Sequence, residues 1–310
     1  MRVSEAFCPA GISSFFEVCN LDSSGNPLTD PARIGARGGG FAIPRGATSR
    51  AIVRKSAETK IKVKINSKPA PEAHTTRSAI EQLLKTQGIT LEIAIDLKVA
   101  CPIGAGFGTS AAGTLASCLA VSDAADIPVT MNELGRITHV AEVVNRTGLG
   151  TAAALLAGGF ALVTEPGAPG IGFVDRLLFP KNHSIICAYT GPISTRETLG
   201  TADVAERLNA PAKRAMDAIR QNPSLSTFMA ETRQFGQEAG FETPIVTSLI
   251  STMISSGAIG ATQNMIGEAV HGVANNRKVA RIVKSVKKAF PAARVFATPI
   301  DNQGVRLLGK

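Results

Sequence analysis

Residues 102–112 read Pro102-Ile-Gly-Ala-Gly-Phe-Gly-Thr-Ser-Ala-Ala. Gly104, Gly106 and Gly108 permit a backbone that turns tightly and comes close to a ligand. The Ala-rich run that follows has the composition of a helix, whose free N–H groups and positive dipole end would face that turn. Such an arrangement cradles phosphate. It is not a P-loop, because Gly-Lys-[Ser/Thr] is missing, nor a dinucleotide fingerprint, because Thr109 stands where the last glycine is needed. A glycine-rich turn packed for structure alone has the same spacing. Further along, His139 and Glu142 are three residues apart in a helix-like stretch, so they share a face and could enter one cleft.

The loop must be held by a strand before it and a helix after it. Apolar and polar residues alternate from Ile89 to Val99 as in a strand, and Ser110 to Ala125, rich in Ala and Leu without Pro, predicts a buried helix. Gly40–Ile43, Ala51–Val53 and Lys60–Ile65 read as short strands separated by Gly and Pro turns. Ala79, Ile80, Leu83 and Leu84 recur at helical spacing. A helix from Met131 to about Val144 precedes a strand over Gly158–Val163. The densest cluster of Pro and Gly, Glu165 to Pro180, marks the expected domain boundary. Beyond it come a strand at Ser184–Tyr189, helices around Ala202–Arg220, Leu225–Glu238 and Pro244–Ser255, the segment Glu268–Val273, a basic helix and Arg294–Thr298. These predict a small α+β sandwich. The expected domains are 1–178 and 179–310.

A chain of 310 residues is long enough for two domains, and 44% hydrophobic with 18% charged residues excludes a disordered or collagen-like protein. Cys8, Cys19, Cys101, Cys118 and Cys187 are scattered without a C-x-x-C pair, and no segment reads as a signal peptide. A disulfide framework and a cysteine zinc site are therefore not expected, and a reducing cytoplasm is. Apolar runs such as Thr151–Val163 fall short of the roughly 20 residues that cross a bilayer, so no membrane span is expected. With 33 Lys+Arg against 24 Asp+Glu the net charge is +9, which suits anionic partners. Arg277, Arg281, Lys284 and Lys288 form one face of an amphipathic helix opposite Val279, Ile282 and Val286. No aromatic interleaving accompanies them, so specific nucleic-acid binding is not expected.

The segment Pro102-x-x-x-Gly106-Phe-Gly108-Thr-Ser110-Ala-Ala resembles the second motif of the GHMP kinases, P-x-x-x-G-L-G-S-S-A-A. More narrowly, Ala6-Phe-Cys-Pro-Ala-Gly-Ile-Ser-Ser-Phe-Phe-Glu17, His139-Val-Ala-Glu142, Thr147-Gly-Leu-Gly150, Pro166-Gly-Ala-Pro-Gly170 and Gly191-Pro-Ile-Ser-Thr195 are similar to segments of the archaeal pantoate kinases. The resemblance runs from Glu5 to about Thr298. It implies an α+β fold with a ribosomal protein S5 domain 2-like N-terminal domain and a ferredoxin-like C-terminal domain. It further implies transfer of the ATP γ-phosphate to the terminal hydroxyl of pantoate, on the route to coenzyme A, in a cytoplasmic homodimer. Carried onto this chain, it implies that Pro102, Gly104, Ala105, Gly106, Phe107, Gly108, Thr109, Ser110 and Ala111 bind ATP. Ser110 and Glu142 would hold Mg²⁺ and, with His139, serve catalysis, while His139, Arg37, Ser194 and Thr195 would contact the substrate. Gly260 to Asn264 would stand on the nucleotide side in place of the family's third motif.

The resemblance is incomplete at three places. Thr151 occupies the position after Thr-Gly-Leu-Gly where the family carries an aspartate, and threonine cannot act as a base there. Ala36 stands where a serine is usual. Val163 or Thr164 stands in place of an arginine that would pair with the substrate carboxylate. Two other readings therefore stay open: a kinase of this fold acting on another hydroxy acid, such as homoserine, shikimate or mevalonate, and a nucleotide-binding regulatory protein.

Overall fold

The computed structural model describes residues 1–191, 202–265 and 267–309. The chain opens with a hairpin of two long antiparallel strands, β1 (Arg2–Cys19) and β2 (Gly35–Lys55). Their register breaks between Cys8 and Ala10, where Pro9 faces the Pro44–Gly46 stretch. Proline has no N–H to give a ladder, so the pairing loosens here and the two halves of the hairpin serve different cores. On one side of the break Ala6, Cys8, Ala47, Ala51 and Val53 join the first core, and on the other Ala10, Ile12, Phe15, Phe41 and Ile43 join the second.

Next come β3 (Lys60–Ile65), β4 (Lys68–Pro69), α1 (His74–Gln87) and β5 (Leu91–Val99), then α2 (Thr109–Ala124), α3 (Met131–Asn145), α4 (Thr151–Ala157), β6 (Phe160–Glu165) and β7 (Phe173–Leu177). β5 pairs antiparallel with Ala47–Lys55 and parallel with β3, while β6 pairs with Gly38–Phe41 at the other end of β2. α2 is buried along most of its length. Its small residues allow that, and its buried hydroxyls are paired, Ser117 with Ser49 at 3.0 Å and Thr114 with Thr76 at 3.0 Å. α3 begins with a complete capping box, Thr130 and Glu133 each bonding the other's backbone N–H.

The rest of the chain supplies β8 (His183–Gly191), α5 (Ala202–Gln221), α6 (Leu225–Ala239), α7 (Pro244–Ser255), β9 (Gly260–Gln263), β10 (Glu268–Asn275), α8 (Asn276–Ala289), β11 (Arg294–Thr298) and β12 (Arg306–Leu307). A second, antiparallel sheet has the order β11-β8-β10-β9. Alternation along β8 sends Ile185 and Cys187 to the core shared with α5, α6 and the first sheet, and Ile186 and Ala188 to the core under α7 and α8. Between the sheets, Phe41 stacks on Phe160 with centroids 4.6 Å apart, and Phe228 meets both edge-on. β12 returns to the first sheet and pairs with β1. The architecture is α+β. No helix among the described residues is long and apolar enough to cross a membrane.

Several elements differ from the sequence expectation. Gly40–Ile43 and Ala51–Val53 belong to one 21-residue strand, because β1 pairs along both parts and carries the chain past Pro44 and Gly46. The Pro- and Gly-rich stretch after Glu165 holds β7, which pairs with β6. Thr151–Ala157, read only as an apolar run, is the short helix α4.

A Cβ added at Gly40 would run into the Ile12 carbonyl of the paired strand, whereas one at Gly309 would meet nothing within 4 Å. Gly40→Ala is expected to lower unfolding free energy by about 3 kcal/mol or more, and Gly309→Ala to change it by less than about 0.5 kcal/mol. Urea denaturation of both variants checks this, and equal midpoints would contradict the close approach.

Candidate active site

The glycine-rich loop leaves β5 and enters α2 with Gly104, Gly106 and Gly108 all at positive φ, between 57° and 76°. Gly108 is the N-cap of α2 and no side chain among the described residues caps that end, which leaves the first N–H groups of the helix open to an anion. The space beside Gly106 is taken by Asn264, whose Cβ would lie 2.9 Å from a Cβ there, and the space beside Gly108 by the methyl of Thr151 at 2.7 Å. A side chain at either position has no room. Ala105 and Phe107 point into the core, and the Phe107 carbonyl accepts the Gly11 N–H at 3.0 Å.

Beside the loop lies a cavity of about 710 Å³, bounded by Gly11–Ser13 of β1, Ala36–Ala42 of β2, Ile103–Ser110 without Ala105, and Arg146–Thr151. Of the residues expected on the nucleotide, Gly104, Gly106, Phe107, Gly108, Thr109 and Ser110 line it. Three do not. Ala105 and Ala111 are fully buried, and Pro102 borders a separate cavity of about 520 Å³ with Asn66, Arg45 and Arg294.

Glu142 sits behind this wall and is 2% exposed. The backbone of Gly148 folds over its carboxylate, with both oxygens 2.9 Å from where a Gly148 Cβ would be. Burial pushes its pKa up to about 8, against the opposing pull of the Ser110 and Thr147 hydroxyls. Oε2 is buried with no hydrogen-bond partner among the described residues. An orphaned carboxylate oxygen beside a hydroxyl at a helix end is a donor set that a hard cation completes. A protein-only metal cluster is not present among the described residues, so phosphate oxygens and water would have to supply the remaining ligands.

His139 does not reach the cavity, contrary to its expected contact with substrate. It is 1% exposed, and its Nε2 donates to the Ile34 carbonyl at 2.8 Å, just ahead of β2. Burial holds its pKa below the usual value, so it is a neutral anchor. The i to i+3 spacing does bring His139 and Glu142 to one face, and that face is the inner one.

Arg37 does line the cavity. It pairs in register with Glu17 across the hairpin, donating from Nε at 2.7 Å and lying 2.5 Å away at Nη2. Glu17 is 6% exposed and also meets Lys213 at 3.6 Å. Val163, opposite Gly38, presents an apolar side chain to the same wall. Ser194 and Thr195 lie outside the described residues. Gly260–Gln263 is buried strand, and Asn264 backs the loop from behind; neither lines the cavity.

Sequence reasoning missed a buried polar chain in this region. His271 Nδ1 donates to Asn264 Oδ1 at 2.8 Å, leaving Nε2 to accept from the Ser14 hydroxyl at 2.8 Å. Burial drives the His271 pKa down to about 3, so the ring stays neutral. Nothing in local spacing links residues 14, 264 and 271. The run Gly38-Gly39-Gly40, by contrast, was a readable sign of close backbone approach on the cavity floor.

Comparison with known proteins places these features in a family. Residues 74–162 match the GHMP kinases N terminal domain. The pantoate kinase of Thermococcus kodakarensis is 30% identical over 238 residues, covering 76% of this chain and 75% of the relative. The pantoate kinase of Methanospirillum hungatei is 26% identical over 308 residues, covering 98% and 96%. Among solved structures, one described as a phosphotransferase related to the CoA biosynthesis pathway superposes with a TM-score of 0.85 at 23% identity, covering 98% of both chains, and shares the fold.

The raised pKa of Glu142 fixes a pH dependence. At pH values below the ordinary carboxylate pKa of about 4.3 both folded and unfolded chains hold this proton. Between there and about pH 8 only the unfolded chain releases it, so stability without metal or nucleotide falls as pH rises through that window. The full effect is up to roughly 5 kcal/mol at about 1.4 kcal/mol per unit. Glu142→Gln is expected to remove this slope and to melt above the wild type at pH 8. Calorimetry from pH 4 to 9 checks it, and parallel curves for the two proteins would count against a buried acid.

Proposed function

The chain belongs to the pantoate kinases within the GHMP kinase family, and from that premise we propose that it transfers the γ-phosphoryl group of ATP to the terminal hydroxyl of pantoate, a step toward coenzyme A. The observation that carries the phosphoryl-transfer reading is the unpartnered Glu142 oxygen beside Ser110, at the helix end that the glycine-rich loop leads into. Phosphoryl transfer asks the protein for position and for charge neutralisation more than for covalent help.

Gly104 to Ser110 hold the triphosphate through backbone N–H groups and the α2 dipole. Ser110 and Glu142 would hold Mg²⁺, which when bound neutralises charge on the phosphates. Glu142 then serves as an anion only with the cation in place, since alone its burial keeps it protonated near neutral pH. On the opposite wall Glu17 takes Nε and Nη2 of Arg37, which fixes the guanidinium plane and leaves Nη1 for the acceptor carboxylate. Ser194 and Thr195 are the proposed contacts from the second unit. His139 contributes by anchoring the start of β2, the strand that carries Arg37.

Val163 favours one further reading, since an apolar side chain stands on the wall where an arginine would pair with the pantoate carboxylate. A kinase for another hydroxy acid is that reading. The cytoplasmic setting fits the five cysteines, which are free thiols.

ADP release with Mg·ATP and D-pantoate, run beside homoserine, shikimate, mevalonate and no acceptor, is expected to respond to pantoate. Turnover with another acceptor alone would overturn the substrate and leave the kinase. Ser110→Ala and Glu142→Gln are each expected to lower kcat about a hundredfold or more with unchanged circular dichroism. Wild-type rates in both would remove the metal assignment.

A further inference from the structure

Among the described residues two arginines line the cavity, Arg37 and Arg146. Arg37 is paired with Glu17, but Arg146 forms no ion pair among the described residues. Arg146 is the C-cap of α3 and sits at φ 55° and ψ 42°, in the left-handed region. The other positive-φ residues apart from glycine among the described residues are Asn66, Ser67 and Asp126, all with short polar side chains. An arginine is neither short nor usual there, and glycine is the common residue at this point of a helix end. Strain kept in a cavity wall points from structure to use.

Its place in the wall says which use. Arg146 precedes Thr147 and Gly148, which touch the Glu142 carboxyl, and Thr147 is itself tied to Thr75 at 3.1 Å. The arginine therefore projects from the Glu142 and Ser110 side of the cavity, while Arg37 projects from β2. The glycine-rich loop contains no lysine, so that side has backbone N–H groups and no other cationic side chain on the wall among the described residues. A phosphoryl group in transfer spreads negative charge over its three equatorial oxygens, and a planar guanidinium matches such oxygens two at a time.

We propose that Arg146 binds the terminal phosphate oxygens of the nucleotide and supplies the cationic side chain that the glycine-rich loop lacks. In that step the bond from the γ-phosphorus to the ADP oxygen breaks, a bond to the acceptor oxygen forms, and the hydroxyl proton passes to water. Arg146 gains and loses no covalent bond. The inference rests on the kinase reading and not on the identity of the acceptor.

The test is calorimetric titration without acceptor. Wild type, Arg146→Gly and Arg146→Lys are each titrated, in Mg²⁺, with an ATP analogue bearing a β–γ methylene bridge and with ADP. Arg146→Gly is expected to bind the analogue about tenfold or more weakly and ADP within about threefold of wild type, with Arg146→Lys between them. Because glycine suits the backbone, its melting temperature is expected to be unchanged or higher. Equal analogue affinity in all three proteins would overturn the proposal, and so would an equal loss for analogue and ADP. Should the glycine variant melt lower, Arg146→Asn, which tolerates the same backbone, takes its place in both titrations. Loss of pantoate-dependent ADP release by the wild type, with this nucleotide discrimination intact, would overturn the acceptor and leave Arg146 in place.

Discussion

A carboxylate sealed from water with one oxygen unpartnered is the constraint around which this molecule is arranged. As an anion alone, Glu142 would carry a desolvation cost of several kcal/mol, and the raised pKa expresses that cost. Its position is set by three helices together. α3 carries the residue and is started by the Thr130–Glu133 box, α2 delivers Ser110 at its open end, and α1 delivers Thr75 to Thr147. All three share one apolar core on the first sheet. The proposed cation position would thus be a property of packed helices, which hold a ligand more sharply than loops do.

The second fixed relation is between the two sheets. The glycine-rich loop belongs to the first, yet its rear face is filled by residues that follow β9. Asn264 occupies the space beside Gly106, and Gly267 lies so close to Ala105 that a Cβ there would come within 2.5 Å of its carbonyl carbon. Asn264 is in turn tied through His271 to Ser14 on β1. These three polar groups are buried beside the phenylalanine cluster, with the His271 ring 5.6 Å from Phe41. In such surroundings a hydrogen bond contributes little net stability, but a missing partner costs a great deal. This polar chain therefore acts as a register pin between sheets, and through Asn264 it backs the glycine-rich loop.

Much of this was legible in sequence, for identifiable reasons. The loop and α2, α3, α5, α6 and α7 rest on local signals: glycine spacing, helix-forming composition and apolar periodicity. Arg294–Thr298 emerged with the boundaries expected. What was not legible depends on distant partners. The single strand β2 needs β1 alongside to carry it past Pro44, and the inward face of His139 needs Ile34. A run of motif positions places Pro102, Ala105 and Ala111 on the nucleotide, whereas only part of that run faces the cavity and Ala105 and Ala111 are packed in the interior. Arg146 carried no signal at all, since a left-handed arginine is visible only in backbone angles.

Thr151 shows how the remaining chemistry closes without a base. Its methyl packs against Gly108 and near Gly11, so the side chain is held at the junction of loop, β1 and α4. A hydroxyl in that place can bond an acceptor hydroxyl but cannot take its proton near neutral pH. In a loose transition state the acceptor oxygen forms little bond to phosphorus before the leaving bond is largely broken, so its proton becomes acidic late. Late loss to water needs orientation rather than basicity. In the proposed mechanism the rate must then come from charge stabilisation on the phosphoryl oxygens, which would raise the demands on Ser110, Glu142 and the cations of the wall. In the proposed mechanism the same reasoning would account for oxygen ligands and N–H donors at the phosphate end, with glycines, Val163 and the Glu17-paired Arg37 at the acceptor end.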